Sequence, residues 1–348
     1  MTIFDVYGAK IISAKWLEDA LQREPYLGEA FYTERKQLGT ELSMIQGKRP
    51  VPKMLNLSSF DAKVISISPE AFKKITTDMP FFKNDMKINE KLRQELLKVL
   101  ASGNEAYINS VVGEIYNYDK QLLANAEATK EAMRMSALTT GVVTFANNGQ
   151  SVSYDYGFNN NNKKTTDWTD TANADPIADI ESWQDEVESA TGVRPTNILL
   201  NRSTFNLMKK ADAVKNAIYI VSQGKVTPNN SALKEHILTE TGCTVYIYDK
   251  GYTDVDSNTY HKFVSDNTVV LFPDGAVGEF VYGTTPEEAD LMGGIATDAE
   301  VVMSDMGVAL TTTKETDPVT VKTKVSMIAL PTITAPDTII LASVGGEE

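Results

Sequence analysis

The chain has 348 residues, which is enough to bury a sizeable core and predicts two or three lobes. Its formal net charge is −14, from 33 basic and 47 acidic residues, and such a surface repels nucleic acid and anionic lipid rather than wrapping them. No apolar run approaches the about 20 residues that cross a bilayer, and residues 1–10 lack the pattern of a signal peptide, so we expect a soluble protein made in a reducing cytoplasm.

Residues 1–47 combine many large apolar side chains with little regular period. Trp16, Tyr26 and Phe31 are among them, and the acidic residues between them disfavour a helix on a membrane surface. We expect that this segment cannot form its own core. It is predicted to lie as an arm over a neighbouring subunit.

Residues 48–85 are predicted to be extended, because four prolines punctuate them and proline is tolerated mainly in edge strands. The run 62–68 alternates, with Ile65 and Ile67 on one face. The pattern predicts a two-stranded ribbon that projects from the body. A lone hairpin is marginally stable in water, so this ribbon is expected to rest on another surface.

Two helices and a hairpin are predicted next. The first helix covers residues 88–101, and the second covers 116–137 with a narrow apolar stripe. Strands at 142–145 and 151–158 flank an Asn-Asn-Gly turn that is typical of hairpins. The second helix also carries charged residues that are expected to lie largely off its apolar stripe: Glu127, Lys130, Glu131 and Arg134.

A helix–strand–helix unit follows. Asp175 before Pro176 predicts an N-cap and a first helical turn, and Gly192 predicts the end of that helix. Residues 197–200 predict a short buried strand, and Ser203 is expected to cap the next helix. The unit carries no phosphate loop, nucleophile elbow or metal-ligand spacing, so it points to architecture rather than chemistry.

The rest of the chain alternates short helices and strands. Helical patterns continue from 211 to about 220 and cover 232–240, and Pro286 begins either a capped helix or a loop. The predicted strands are 244–248, 262–264, 269–272, 278–282, 297–303, 308–313, 319–330 and 338–344.

The residues that resemble metal or catalytic sites have simpler interpretations. Asp254, Asp256 and Asn258 match the first half of a calcium loop, but the glycine and glutamate that the motif needs later are absent. His236 and His261 are not at a metal-ligand spacing and are expected at the surface. We therefore expect no metal site and no cofactor.

Two further features are interpreted as structural. The carboxylates of the helix after Asp175 are expected on its solvent-facing side, although a hydrolase that uses them stays an alternative. Cys243 is the only cysteine, which excludes an intrachain disulfide, and its apolar surroundings predict a small buried side chain.

Weak matches in a fixed order resemble one known family. They comprise Trp168, the helix start at Asp175-Pro176, the run 179–183, the turn Thr191-Gly192-Val193, the helix 205–214, and the segments 263–271, 281–283 and 325–341. Together they resemble the major capsid protein E family of lambda-like tailed phages, over about the last two-thirds of the chain.

The resemblance implies an α+β fold of the Hong Kong 97 type. It implies an N-terminal arm, an extended β-hairpin loop, a peripheral domain with a long spine helix, and an axial domain. The corresponding ranges are 1–47 for the arm, 48–85 for the loop, 86–175 and 295–337 for the peripheral domain, and 176–294 and 338–348 for the axial domain.

The function implied is self-assembly, without catalysis, into pentamers and hexamers that form an icosahedral head shell. The shell would enclose DNA without sequence-specific binding, in a virion assembled in the bacterial cytoplasm. A scaffolding protein, a portal and a decoration protein are the implied partners. The residues expected to contact neighbouring subunits are Trp16, Tyr26 and Phe31 in the arm and Arg49, Pro50, Lys53, Phe60, Lys63, Ile65 and Ile67 in the loop.

Other interpretations stay open at the level of sequence. An encapsulin-like nanocompartment shell would share the fold and enclose cargo enzymes. A tail tube or another virion structural protein is a further alternative.

Overall fold

The structure is a computed structural model of the full chain. It describes residues 8–20, 23–46, 73–88, 90–101, 105–147, 150–219, 226–254, 257–294, 299–317 and 319–346.

The described residues form eight α-helices and seventeen strands. The helices are α1 (Ala9–Ala20), α2 (Glu90–Ala101), α3 (Glu105–Thr140), α4 (Pro176–Thr191), α5 (Arg202–Lys210), α6 (Asp212–Ile218), α7 (Asn230–Thr241) and α8 (Pro286–Met292). The first nine strands are β1 (Tyr32–Lys36), β2 (Glu41–Gln46), β3 (Lys73–Asp78), β4 (Phe81–Ile88), β5 (Val142–Asn147), β6 (Gln150–Asp155), β7 (Lys163–Thr165), β8 (Asn197–Leu200) and β9 (Thr244–Ile247). The remaining strands are β10 (Gly251–Thr253), β11 (Tyr260–Lys262), β12 (Thr268–Phe272), β13 (Gly278–Tyr282), β14 (Glu300–Asp305), β15 (Val308–Thr316), β16 (Val319–Pro331) and β17 (Ile340–Ser343).

A six-stranded sheet is organised around the long strand β16. β15 pairs with one edge of β16 and is followed by β14, while β4 and β13 share the other edge of β16. β1 then pairs with β13 in parallel, from Tyr32 opposite Gly278 to Lys36 opposite Tyr282. The sheet thus joins residues near the start of the chain to residues near its end.

A second sheet has five strands in the order β7-β17-β12-β8-β9. Its two faces alternate along each strand: Leu199 and Val270 belong to one apolar cluster, and Ile198 and Leu271 belong to another. The first cluster continues to the six-stranded sheet and α3, and the second contains apolar residues of α4, α5, α6 and α7. The last strand, β17, pairs antiparallel with β12.

The helix α3 is the longest element, with 36 residues. Its length is about 54 Å at 1.5 Å per residue. It contacts β16 of the larger sheet and β12 of the smaller one, so it connects the two sheets. The sequence analysis predicted only residues 116–137 of this helix.

Local capping signals place α4 and α5. Asp175 accepts a hydrogen bond from the Ala178 N–H, and Gly192 ends α4 with a φ of 72°, a left-handed conformation that glycine adopts without strain. Ser203 does not cap α5, contrary to the sequence analysis. The cap is Asn201, whose side chain accepts from the Thr204 N–H.

Other boundaries also differ from the prediction. Ile88 does not begin a helix: it ends strand β4 and is buried, and α2 begins at Glu90. The strand expected at 262–264 is β11, which ends at Lys262 and pairs with β10. Pro286 begins the helix α8, with Thr285 as its N-cap.

Candidate functional site: the loop base and the N-terminal segment

The extended loop is described only at its base. β2 and β3 pair antiparallel, with Glu41 opposite Asp78 and Gln46 opposite Lys73, so β2 lies before the predicted loop range of 48–85 and β3 lies within it. The predicted run 62–68 lies outside the described residues. The same holds for the predicted contact residues of the loop, which are Arg49, Pro50, Lys53, Phe60, Lys63, Ile65 and Ile67.

The base of this ribbon is fixed to the body of the subunit. Leu42 and Met79 are buried in the large apolar cluster. The Met79 N–H donates to the Thr40 carbonyl at 2.9 Å, and the Thr284 N–H donates to the Gly39 carbonyl at 3.0 Å. The β2–β3 pair is therefore anchored to the body between β1 and α8.

The residues before the loop pack on their own subunit. Trp16 of α1 and Phe31 are each 5% exposed, and both belong to the large apolar cluster. Phe31 makes edge contacts with Tyr246 and Phe272, with ring centroids 5.3 and 4.8 Å apart. The expectation that this segment cannot be satisfied within one subunit is wrong, and Trp16 and Phe31 are not free to contact a neighbour in this arrangement.

Tyr26 is only partly buried. Its ring meets Phe263 edge-on at a centroid distance of 5.8 Å, and the Lys250 ammonium lies 5.5 Å from its centroid. Burial raises the pKa of the Tyr26 hydroxyl. Of the three predicted arm residues, Tyr26 alone keeps an accessible edge.

The main feature that sequence reasoning missed is a buried charged face on α3. Glu127, Lys130, Glu131 and Arg134 are all at most 5% exposed, although the sequence analysis placed them largely on the solvent side. Their spacing of i, i+3, i+4 and i+7 is that of one helical face and was the available signal. We call these four residues the charged face of α3.

Residues 23–36, which we call the N-terminal segment, cover this face. Arg134 donates to Glu34 Oε1 at 2.8 Å, and the Tyr32 hydroxyl donates to the Arg134 carbonyl at 3.0 Å. The Tyr282 hydroxyl donates to the same Glu34 oxygen at 2.8 Å. The Arg134 guanidinium also lies 4.5 Å from the centroid of the Phe280 ring.

Lys130 connects α3 to the β14–β15 turn. Its ammonium lies 2.7 Å from Glu127 and 2.9 Å from Asp305. Burial alone would lower the pKa of Lys130, but the two carboxylates outweigh it and raise that pKa. Burial would raise the pKa of Asp305, but Lys130 outweighs it and holds that pKa below its usual range.

Glu131 is the centre of the arrangement. Its Oε1 accepts a hydrogen bond from the Gly28 N–H at 2.9 Å and another from the Tyr248 hydroxyl at 2.8 Å. Burial raises the pKa of Glu131 in spite of these donors and of Arg134. Gly28 lies in the N-terminal segment and Tyr248 directly follows β9, so Glu131 joins three parts of the subunit.

The carboxylates of α4 serve the structure in the same way. Asp179 accepts from the indole N–H of Trp168 at 2.8 Å, and Asp185 and Glu188 both pair with Arg194. Trp168 stacks on Trp183 with a centroid distance of 6.2 Å. These contacts hold α4 against the five-stranded sheet.

The remaining chemical candidates lie apart from one another. His236 pairs with Glu240 at 3.8 Å, whereas His261 is exposed on the β10–β11 hairpin. Cys243 is buried as predicted, and burial raises the pKa of its thiol. Within the described ranges, no group of three or more His, Cys, Asp or Glu side chains could hold a metal ion, and no helix is long and apolar enough to cross a membrane.

A family model and several solved structures match this chain. The family model described as phage major capsid protein E matches residues 14–344. A search of curated proteins finds no match.

Solved structures of low sequence identity share the fold. A protein described as a capsid protein of a prophage in Escherichia coli CFT073 is 13% identical, with a TM-score of 0.60 over 97% of this chain and 99% of its own. A phage-related protein from Bordetella bronchiseptica RB50 is 11% identical, with a TM-score of 0.54 over 97% of this chain and 98% of its own. A chain of the mature capsid of bacteriophage PhiM1 is 9% identical, with a TM-score of 0.50 over 94% of this chain and 89% of its own.

Proposed function

The chain belongs to the phage major capsid protein E family, and we propose from this premise that its extended loop joins neighbouring subunits into the pentamers and hexamers of an icosahedral head shell. The fold is the Hong Kong 97 type, and the protein is a structural component of the virion capsid that assembles with copies of itself. The family and the fold point to a structural rather than an enzymatic role.

The anchored ribbon is the observation that carries the proposal. A hairpin that projects from the body gains stability only when it rests on another surface. Its root is fixed by buried Leu42 and Met79, so its direction is set by the subunit that carries it. Many such contacts, each weak, become strong together when the lattice closes.

The loop residues are assigned roles by their chemistry. Ile65 and Ile67 would supply an apolar face for the neighbour, and Phe60 would add to it. Arg49, Lys53 and Lys63 would meet acidic groups on a subunit whose net charge is −14. Pro50 would stiffen the strand that leaves the root.

We propose a division into two domains. We assign residues 86–175 and 295–337 to the peripheral domain, which contains α3, β14, β15 and β16, and residues 176–294 and 338–348 to the axial domain. Four strands of the five-stranded sheet, which are β8, β9, β12 and β17, support the axial range. Two strands pair across the boundary: β7 of the peripheral range pairs with β17, and β13 of the axial range pairs with β16.

The proposal extends to the partners of the shell. A scaffolding protein, a portal and a decoration protein would act with it during assembly in the host cytoplasm. DNA would be enclosed without sequence-specific contacts, because the acidic subunit gives little general attraction for phosphate.

Deletion of the loop tip tests the proposal. A chain in which a short glycine-serine linker replaces residues 49–71 should stay folded, since β2, β3 and the body are retained, and should form no shells. Circular dichroism measures the fold, and negative-stain microscopy measures the particles.

Two double variants test the apolar side chains of the loop without a change in chain length. Ile65→Asp with Ile67→Asp should prevent shell formation, and Ile65→Val with Ile67→Val should permit it. Normal shells from the linker variant would refute the role of the loop. Tubes instead of closed shells from the unmodified chain would refute the head-shell assignment.

A further inference from the structure

Glu131 is a fully buried carboxyl at the meeting point of three elements. It belongs to α3, it accepts the Gly28 N–H of the N-terminal segment, and it accepts the Tyr248 hydroxyl next to the five-stranded sheet. A change in the protonation of Glu131 therefore affects its hydrogen bonds to the N-terminal segment and to Tyr248 at the same time.

The two oxygens of this carboxyl are used unequally. Oε1 accepts both hydrogen bonds, whereas Oε2 is buried and accepts none from the described residues. Arg134 Nη1 lies 3.8 Å from Oε2. A Cβ atom added to Gly28 would lie 2.5 Å from Oε2, so the N-terminal segment closes tightly over this oxygen.

The charged surroundings contain more acidic than basic groups. The carboxylates are Glu29 and Glu34 of the N-terminal segment, Glu127 and Glu131 of α3, and Asp305 of the β14–β15 turn, and the cations are Arg23 of the N-terminal segment with Lys130 and Arg134 of α3. The tyrosines that face the site are Tyr26 and Tyr32 of the N-terminal segment, Tyr248 after β9 and Tyr282 of β13. An excess of carboxylates in a desolvated site favours the protonated form of the one that is most deeply buried.

We propose that Glu131 is a pH-responsive junction between α3, the N-terminal segment and Tyr248, the residue that follows β9. Protonation of Glu131 tightens the docking of the N-terminal segment and of Tyr248 on α3, and ionisation of Glu131 loosens it. The proposal concerns the single subunit and does not rest on shell formation. It assigns Glu131 a positioning role, since the group acts through the elements that it joins.

The direction follows from linkage. Docking buries Glu131 and raises its pKa above the ordinary value of 4.5. A carboxyl whose pKa is raised by docking contributes docking free energy that is fully present below its undocked pKa and is lost as the pH rises through the docked pKa. The N-terminal segment should therefore be held most firmly below about pH 4.5 and less firmly once the pH has passed the docked pKa.

Hydrogen exchange of the full-length chain tests this junction. Amide protection of residues 26–36 is measured between about pH 4 and pH 8 in the wild type and in Glu131→Gln, which keeps an oxygen acceptor for Gly28 and Tyr248 but does not titrate. The ratio of wild-type to variant protection removes the intrinsic pH dependence of exchange. This ratio should fall by up to about tenfold per pH unit between the undocked and the docked pKa, and it should become constant above the docked pKa.

A second carboxylate serves as the control. Glu24→Gln changes an 82% exposed side chain that pairs with Lys250, and it should keep the wild-type pH response. A ratio that stays constant across the pH range would overturn the proposal. So would a Glu24→Gln variant that loses the response as fully as Glu131→Gln does.

A direct titration of the wild type does not depend on whether a variant folds. Carboxyl carbon NMR of the wild type should show Glu131 titrating above 4.5, its ordinary value. A Glu131 carboxyl that titrates at or below that value in the folded chain would refute the junction.

Discussion

Individual buried charged side chains specify how the N-terminal segment packs on α3. A buried ion pair is weak evidence for stability, because desolvation offsets much of the attraction, but removal of one partner leaves the other uncompensated. Both cations of the charged face have a partner from another element: Arg134 pairs with Glu34, and Lys130 pairs with Asp305. The charged face of α3 therefore specifies which elements meet, in addition to any stability that it adds.

Asp305 gives the first prediction at this scale. Lys130 holds its pKa below 3.8, the ordinary value, so the stability it contributes is present at neutral pH and is lost as the pH falls through the lowered value. Asp305→Asn should lower the thermal midpoint at pH 7 and flatten its decline in acid. The effect should be modest, because the Asp305 side chain is 44% exposed and solvent screens the pair.

Thermal unfolding between about pH 3 and pH 7 measures the effect of Asp305→Asn. Asp290→Asn, an exposed carboxylate on α8, is the matched control and should follow the wild-type curve. An acid limb in Asp305→Asn as steep as that of the wild type would show that the pair with Lys130 does not couple stability to pH.

The elements themselves were predicted best where a local signal marks them. Asp175, Pro176 and Gly192 bracket α4, because capping depends only on residues that are adjacent in sequence. The buried charges of Glu131 and Arg134 were missed, because periodicity alone assigns charged residues to solvent. Their spacing placed them on one helical face, but it did not show that a second element would cover that face.

Long-range pairings were the other part that sequence could not supply. β1 was not predicted, and its parallel partner β13 lies more than 240 residues further along the chain. The loop shows both situations: β3 falls in the range that was predicted to be extended, whereas β2 was not predicted, and Gly39 before it accepts a hydrogen bond from Thr284, which is far away in sequence.

The cap of α5 gives a prediction at the scale of the element. Asn201 accepts from the Thr204 N–H and donates to the Val264 carbonyl and to Asp266, and it is fully buried. Asn201→Ala should cost about 1–3 kcal/mol, because it removes a cap and leaves a buried carbonyl unpaired. Ser203→Ala changes an exposed residue and should stay within about 0.5 kcal/mol of the wild type.

Urea unfolding of Asn201→Ala and Ser203→Ala measures which of the two residues caps α5. Equal losses for Asn201→Ala and Ser203→Ala, or a larger loss for Ser203→Ala, would mean that the cap is misassigned.

At the scale of the whole molecule, the subunit buries more of its apolar side chains within one chain than its sequence predicts. Trp16 and Phe31 lie in a segment without a strong period, yet both pack on distant residues of the same chain. This leaves the loop beyond the β2–β3 root as the main candidate for contact with a neighbour.

Trp16→Ala tests this division. Because Trp16 is buried within its own chain, the variant should lose about 3–5 kcal/mol of unfolding free energy in unassembled subunits. Leu17→Ala, at the next position of α1, changes a side chain that is 53% exposed and should stay within about 0.5 kcal/mol of the wild type.

Denaturant unfolding of unassembled subunits measures both variants of α1. If Trp16→Ala leaves the isolated subunit as stable as Leu17→Ala does and only prevents shell formation, Trp16 acts between subunits, and the single-chain packing is not its role.

The position of β16 has a consequence for how the protein is made. The ribosome releases the loop and α3 long before it reaches residues 319–331, and until then β4, β13 and β15 lack the strand that they share. A nascent chain therefore carries residues 41–78 on a body whose sheet is still open. Because the sheet closes only when translation has passed residue 331, a partly made chain lacks the finished body of the subunit.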